Sequence, residues 1–196
     1  FLAGYVGGGL FRSTDGGENW YSISNEIDNI GVFVLKISAA GDVYAGTLQS
    51  IYKSTDQGVT WNKVDASLPQ NGYAEDITFD NSDNIYVTNA YEGVYKSTDA
   101  GNSWTLFSNG LPSSKYVRRI EFTSNNILLL SDLYRGIYKS TDFGANWIQS
   151  NTGLDSTYYV SSFGSNSAGE IFISTSGNGP FKSTDNGNSW VSIQGD

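Results

Sequence analysis

The chain has no cysteine, no histidine and no methionine in its 196 residues, and only three prolines. Without cysteine there is no disulfide and no thiolate nucleophile. Without histidine there is no imidazole base, so Ser–His–Asp and Cys–His catalysis are excluded, together with His–Cys zinc sites. The missing methionine leads us to expect that Phe1 is not a translation start and that the sequence is a processed product or an excised piece. Long apolar runs are also lacking: none approaches the roughly 20 residues that a membrane-spanning helix needs, and no membrane insertion is expected. Positive charge is scarce as well. Eleven basic side chains face 20 acidic ones, for a net charge of −9, which argues against nucleic acid as a partner and against anionic membrane surfaces. An extracellular or secreted protein that has lost its leader fits these absences.

What is present is glycine (23), tyrosine (13) and one octapeptide five times over. "STDGGENW" (Ser13–Trp20) returns as "STDQGVTW" (Ser54–Trp61), "STDAGNSW" (Ser97–Trp104), "STDFGANW" (Ser140–Trp147) and "STDNGNSW" (Ser183–Trp190). The serines at 13, 54, 97, 140 and 183 are 41, 43, 43 and 43 residues apart. A fixed period near 40 marks a propeller or another repeat array. Within each period the apolar pattern alternates as in strands, and four short strands can be placed between turn residues. In the fourth repeat they are "VRRIEFT", "NILLLSD", "GIYKS" and "WIQS", named A to D from the inside outward. The fold class expected is therefore all-β: a five-bladed β-propeller of four-stranded antiparallel blades in one domain, residues 1–196. The repeats run approximately 1–25, 26–67, 68–110, 111–153 and 154–196. An arc cut from a larger ring is the alternative closure. The chain opens directly on a B strand, so blade one lacks its inner strand A and the count is 19 strands. A free strand edge is a template for strand addition. Completion of blade one in trans, or self-assembly through it, is the expectation drawn from that count.

The octapeptide itself reads as a hairpin lock between strands C and D. The aspartates Asp15, Asp56, Asp99, Asp142 and Asp185 can accept backbone N–H groups of the turn. The glycines Gly17, Gly58, Gly101, Gly144 and Gly187 supply a positive φ. The tryptophans Trp20, Trp61, Trp104, Trp147 and Trp190 can fold back over the hairpin, and the serines Ser13, Ser54, Ser97, Ser140 and Ser183 offer a hydroxyl. This S-x-D-x-G-x-x-W pattern, complete in all five copies, resembles the Asp-box or BNR repeat of sialidases, sortilin-type receptors, xyloglucan-degrading enzymes and secreted bacterial propellers. The resemblance covers essentially the whole chain. It implies that the boxes sit at the outer edge of the blades, on the face opposite the usual ligand site.

Calcium wants 6–8 oxygen ligands, usually with several carboxylates, and each box supplies one. No cofactor and no metal are expected, and "DNSDN" (Asp80–Asn84) is read as a polar hairpin turn. The segments that differ between repeats are the D–A and B–C connections, where a rigid scaffold tends to carry binding residues. The candidate binding face there comprises Tyr73, Tyr91, Glu92, Tyr116, Tyr134, Arg135, Tyr158 and Tyr159; the competing reading is that the rings only cover seams between blades. A sialidase would need three arginines from different blades. Arg12 fills the lysine slot of its repeat, and Arg118, Arg119 and Arg135 belong to one repeat, so that activity is excluded. Glu75, Asp76, Glu92 and Asp132 are the carboxylates from which a glycoside hydrolase would have to be built, at a separation of about 5–10 Å. The expectation is a non-enzymatic extracellular propeller for structure or interaction, a self-assembling surface or filament subunit. Its partner would be a second copy, or an extracellular protein or glycan. The first alternative is a carbohydrate- or protein-binding module using the D–A/B–C face, and the second is a glycoside hydrolase.

Overall fold

The computed structural model describes residues 1–23, 27, 31–69, 74–154 and 159–195. Its 19 strands form five antiparallel sheets, and no helix occurs among the described residues. Blade one is three-stranded: β1 (Leu2–Tyr5), β2 (Gly9–Arg12) and β3 (Tyr21–Ser22). Blade two runs β4 (Val32–Ile37), β5 (Val43–Thr47), β6 (Ile51–Ser54), β7 (Asn62–Lys63). Blade three runs β8 (Ala74–Phe79), β9 (Ile85–Asn89), β10 (Gly93–Ser97), β11 (Thr105–Leu106). Blade four runs β12 (Val117–Phe122), β13 (Leu128–Asp132), β14 (Gly136–Ser140), β15 (Ile148–Gln149). Blade five runs β16 (Val160–Ser165), β17 (Ile171–Thr175), β18 (Pro180–Ser183), β19 (Val191–Ser192). The propeller is five-bladed, and its first blade lacks the inner strand, as the repeat arithmetic predicts.

A four-stranded blade cannot bury both of its faces alone, so the core lies between blades. Four clusters of buried side chains correspond to the four seams between consecutive blades. Leu10 of blade one meets Val43, Ala45 and Tyr52 of blade two. Val34, Tyr44 and Ile51 meet Ile77, Ile85 and Trp104 of blade three. Tyr86 and Val94 meet Ile120, Leu128 and Trp147 of blade four. Leu129 and Ile137 meet Ile171, Phe181 and Trp190 of blade five.

Each inner strand β4, β8, β12 and β16 carries a bulge near its start, where its register against the next strand slips. Bulges re-aim side chains. The one in β12 releases Arg119 across two seams: Nε donates to Ser161 O of blade five at 3.0 Å, and Nη1 donates to Glu75 O of blade three at 3.2 Å.

Candidate functional site

The Asp-boxes are built alike. The Ser hydroxyl donates to Oδ1 of its Asp at 2.7–2.8 Å. The same hydroxyl accepts the N–H of the box glycine at 2.8–2.9 Å. Oδ1 also accepts the backbone N–H four residues on, at Asn19, Thr60, Ser103, Asn146 and Ser189. Oδ2 accepts the side chain of that same residue. The seventh box position is thus a second working residue that the sequence reading passed over. Its signal was available, since only Asn, Thr or Ser stands there. These donors hold the aspartates below the usual carboxylate range. For Asp185 the side-chain and backbone hydrogen bonds from Ser189 bring it to about 2. With both oxygens so occupied, the box is a closed hairpin lock.

The positive φ extends one residue further than expected. Each box glycine is left-handed, but so is the residue before it: Gln57 (φ 61), Ala100 (φ 59), Phe143 (φ 57) and Asn186 (φ 61). "DNSDN" is likewise a polar turn closed around its first aspartate. Asp80 accepts from the N–H groups of Ser82 and Asn84, from the Asn84 amide and from Tyr86 Oη. Asp83 accepts the N–H groups of Ala39 and Ala40 in the preceding blade.

On the opposite face the variable segments bring three of the candidate tyrosines together. Tyr91 lies on the B–C turn of blade three, Tyr116 on the D–A connection into blade four, and Tyr134 on the B–C turn of blade four. The Tyr91 and Tyr116 rings meet edge to face at 4.9 Å, and those of Tyr116 and Tyr134 at 6.2 Å. The Tyr91 hydroxyl donates to the Tyr116 hydroxyl at 3.5 Å. Tyr91 is 53 % exposed and Tyr134 70 %, with Tyr116 half-buried between them.

The row is held by main chain and by one carboxylate. Buried Asp132 accepts the N–H of Tyr116 through Oδ2 and the N–H of Tyr134 through Oδ1, each at 2.9 Å. Leu133 N donates to Tyr116 O and Val117 N to Ala90 O, which ties the turns of two blades together. Arg135 Nη1 stands 3.5 Å from Asp132 Oδ1, and half-buried Glu92 follows Tyr91. Tyr159 is not part of the row. It stacks under the Arg118 guanidinium at 5.3 Å and so covers a seam. Tyr73 and Tyr158 fall outside the described residues.

The carboxylates weighed for hydrolysis are engaged in the fold. Glu75 is buried beside Arg118 at 3.5 Å. Asp76 accepts the N–H groups of Ile77 and Ile120, and burial pushes its carboxyl up against the pull of Lys36. Asp132 is 1 % exposed and saturated by the tyrosine loops. Glu75, Asp76 and Asp132 are thus all buried, held by an arginine or by backbone N–H groups. Among the described residues no cluster of three acidic groups is placed to hold a metal.

The profile of the Sortilin-Vps10 family (sortilin, neurotensin receptor 3) matches residues 8–135 and 49–179, two overlapping stretches that take in most of the chain. The chain belongs to the Sortilin-Vps10 family. Solved structures show the same propeller at low identity. A GH74 enzyme from Niastella koreensis superposes with a TM-score of 0.77 at 19 % identity, covering 97 % of this chain and 34 % of the enzyme. YCF48 bound to D1 peptide gives 0.66 at 17 %, covering 92 % and 60 %. The extracellular domain of a putative one-component system, BT4673 of B. thetaiotaomicron, gives 0.73 at 13 %, covering 98 % and 29 %. The chain spans about a third of the length of the GH74 enzyme. No curated protein matches the sequence.

Proposed function

We propose that this propeller is a non-enzymatic, extracellular docking module that binds a protein or peptide through the Tyr91–Tyr116–Tyr134 row. The observation that carries the reading is the contact geometry: three rings from two blades touch on one face, two of them largely exposed. Tyrosine, with tryptophan and arginine, is enriched in interface hot spots, and its ring buries much area with few rotatable bonds. Asp132 and the interblade backbone bonds hold the row before any partner arrives, which lowers the ordering cost of binding. The family description names a neurotensin receptor, and one structural relative is seen with a peptide bound. Both agree with a protein or peptide ligand.

The test is a selection of peptides from a displayed library on the wild-type chain, with a glycan array run in parallel. Peptides selected on the wild type are expected to bind Tyr134→Ala and Tyr91→Ala at least about tenfold more weakly. Peptides indifferent to both substitutions, or capture of a glycan in their place, overturn the reading. Release of sugar from xyloglucan, abolished in Glu92→Gln, would replace it by hydrolysis.

A second reading, self-assembly, is favoured by blade one. β1 pairs with β2 alone among the described residues, and a cleft of about 730 Å³ opens between it and blade two, lined by Phe1, Leu2, Leu35, Ile37 and Val43. This cleft, lined also by Arg12, Ser13, Thr14 and Gln57, lies beside a free strand edge and suits strand addition from a second copy.

A further inference from the structure

At the seam between blades two and three, on the same face as the tyrosine row, lies a small cavity of about 10 Å³, room for one water-sized group. Three buried oxygens without a hydrogen-bond partner line it: Ser50 Oγ, Asp65 Oδ2 and Asn89 Oδ1. Their residues are 4 %, 5 % and 4 % exposed. Buried polar atoms left unpaired cost free energy, so three in one cavity call for an occupant.

The repeat explains how the cavity arises. Forty-three residues on from Ser50 and Asp65 stand Gly93 and Ser108, and after them Gly136 and Asn151. In those blades the later side chain caps the strand: Ser108 Oγ accepts Val94 N at 3.0 Å, and Asn151 Oδ1 accepts Ile137 N at 2.7 Å. The cap lies where a side chain at the glycine would stand. A Cβ on Gly93 would be 2.2 Å from Ser108 Oγ, and one on Gly136 2.5 Å from Asn151 Oδ1. Blade two carries Ser50 at that glycine position, so the cap is excluded and Asp65 turns an oxygen into the space instead. Asn89 takes the place of Asp132, whose oxygens accept two loop N–H groups. In Asn89 the corresponding oxygen faces the cavity unbonded.

We propose that this cavity is a binding site for a primary ammonium group, a lysine side chain or a peptide N-terminus of the docked partner. All three oxygens accept hydrogen bonds, one of them carries a charge, and an ammonium offers three N–H donors to match. The net charge of −9 draws a cationic partner to this chain. Lys63 Nζ stands 3.5 Å from Asp65 Oδ2, outside hydrogen-bond geometry, and is a tethered competitor for the same carboxylate oxygen. The site deepens the docking reading and rests on it for the face used, because Asn89 and Tyr91 stand two residues apart at the same turn.

The probes are Nα-acetyl-lysine methylamide, which carries a side-chain ammonium, and glycinamide, which carries a terminal one. Sodium chloride and tetramethylammonium chloride serve as controls at equal ionic strength, and the readout is the amide resonances of the whole chain. The expected result is a saturable shift at Ser50 and Asn89 with one or both probes and none with the controls; whichever probe binds names the source. Lys63→Gln is expected to tighten binding, and Asp65→Asn to weaken it about tenfold with other resonances in place. No saturable shift, or the same shift with sodium or tetramethylammonium, overturns the proposal and leaves a water in the cavity. These small probes do not reach the tyrosine row, so their failure leaves the docking reading intact, and failure of the tyrosine variants leaves this one intact.

Discussion

At the scale of single residues the five boxes show how a short motif sets a turn. One hydroxyl and one carboxylate satisfy the N–H groups of a tight hairpin, and the seventh residue closes the ring. The resulting fall in carboxylate pKa has a signed consequence. A carboxylate with a folded pKa below its unfolded value, about 3.9, adds stability above that value. The contribution is lost as pH falls toward the folded pKa, which for Asp185 is about 2. Thermal midpoints are therefore expected to hold between pH 7 and 5 and to drop from about pH 4 downward. Substituting Asp185→Asn should flatten part of that drop, and midpoints that are level to pH 2 would contradict the account. The role of Asp and Gly was legible because the motif repeats; the role of Asn19, Thr60 and their counterparts was missed because their identity varies while their donor function does not.

At the scale of elements, the tryptophan of the last three boxes serves the preceding blade as much as its own hairpin. Trp104 Nε1 donates to Val64 O at 2.8 Å, Trp147 to Phe107 O at 2.8 Å and Trp190 to Ser150 O at 2.9 Å. Each partner lies 40 residues upstream, at the end of the previous blade's outer strand. The sequence reading placed the ring over its own turn, a local contact, because period alone does not reveal which neighbour a face meets. Trp20 differs: it is 43 % exposed against 2 % for Trp147, and its indole donates to Gly17 O of its own turn. Trp147→Ala is accordingly expected to cost about 3–5 kcal/mol, and Trp20→Ala only roughly 1 kcal/mol. Chemical denaturation of the two variants measures this, and equal costs would sink the interblade assignment. Arg119 works at the same scale, because its bulge in β12 lets one side chain join three blades.

At the scale of the whole molecule, the apolar core is divided among the four seams, and stability is a sum of neighbour terms. Blade one has the weakest claim on that sum, with Phe1, Tyr5 and Val6 at 74 %, 63 % and 57 % exposure. If a second copy covers this blade, light scattering on the isolated chain is expected to give a mass above that of one chain that rises with concentration. Leu2→Asp and Trp20→Ser, which place polar groups at the cleft and on the exposed indole, are expected to return it to monomer. A monomer at every concentration would remove self-assembly as a reading and leave the tyrosine face as the interaction surface.

The sequence by itself determined the all-β class, the five blades and the missing inner strand. Those follow from a repeat period and from turn chemistry, both of which act over a few neighbouring residues. It also marked the variable loops as the place to look. Only the tertiary structure decided which loop residues meet: it joined Tyr91, Tyr116 and Tyr134, set Tyr159 against Arg118, and drew Glu75, Asp76 and Asp132 inward. It alone brought Ser50, Asp65 and Asn89 to one cavity. The reason is physical. Contacts across a seam join residues about 40 positions apart, and their geometry depends on bulges and blade packing that no local pattern encodes.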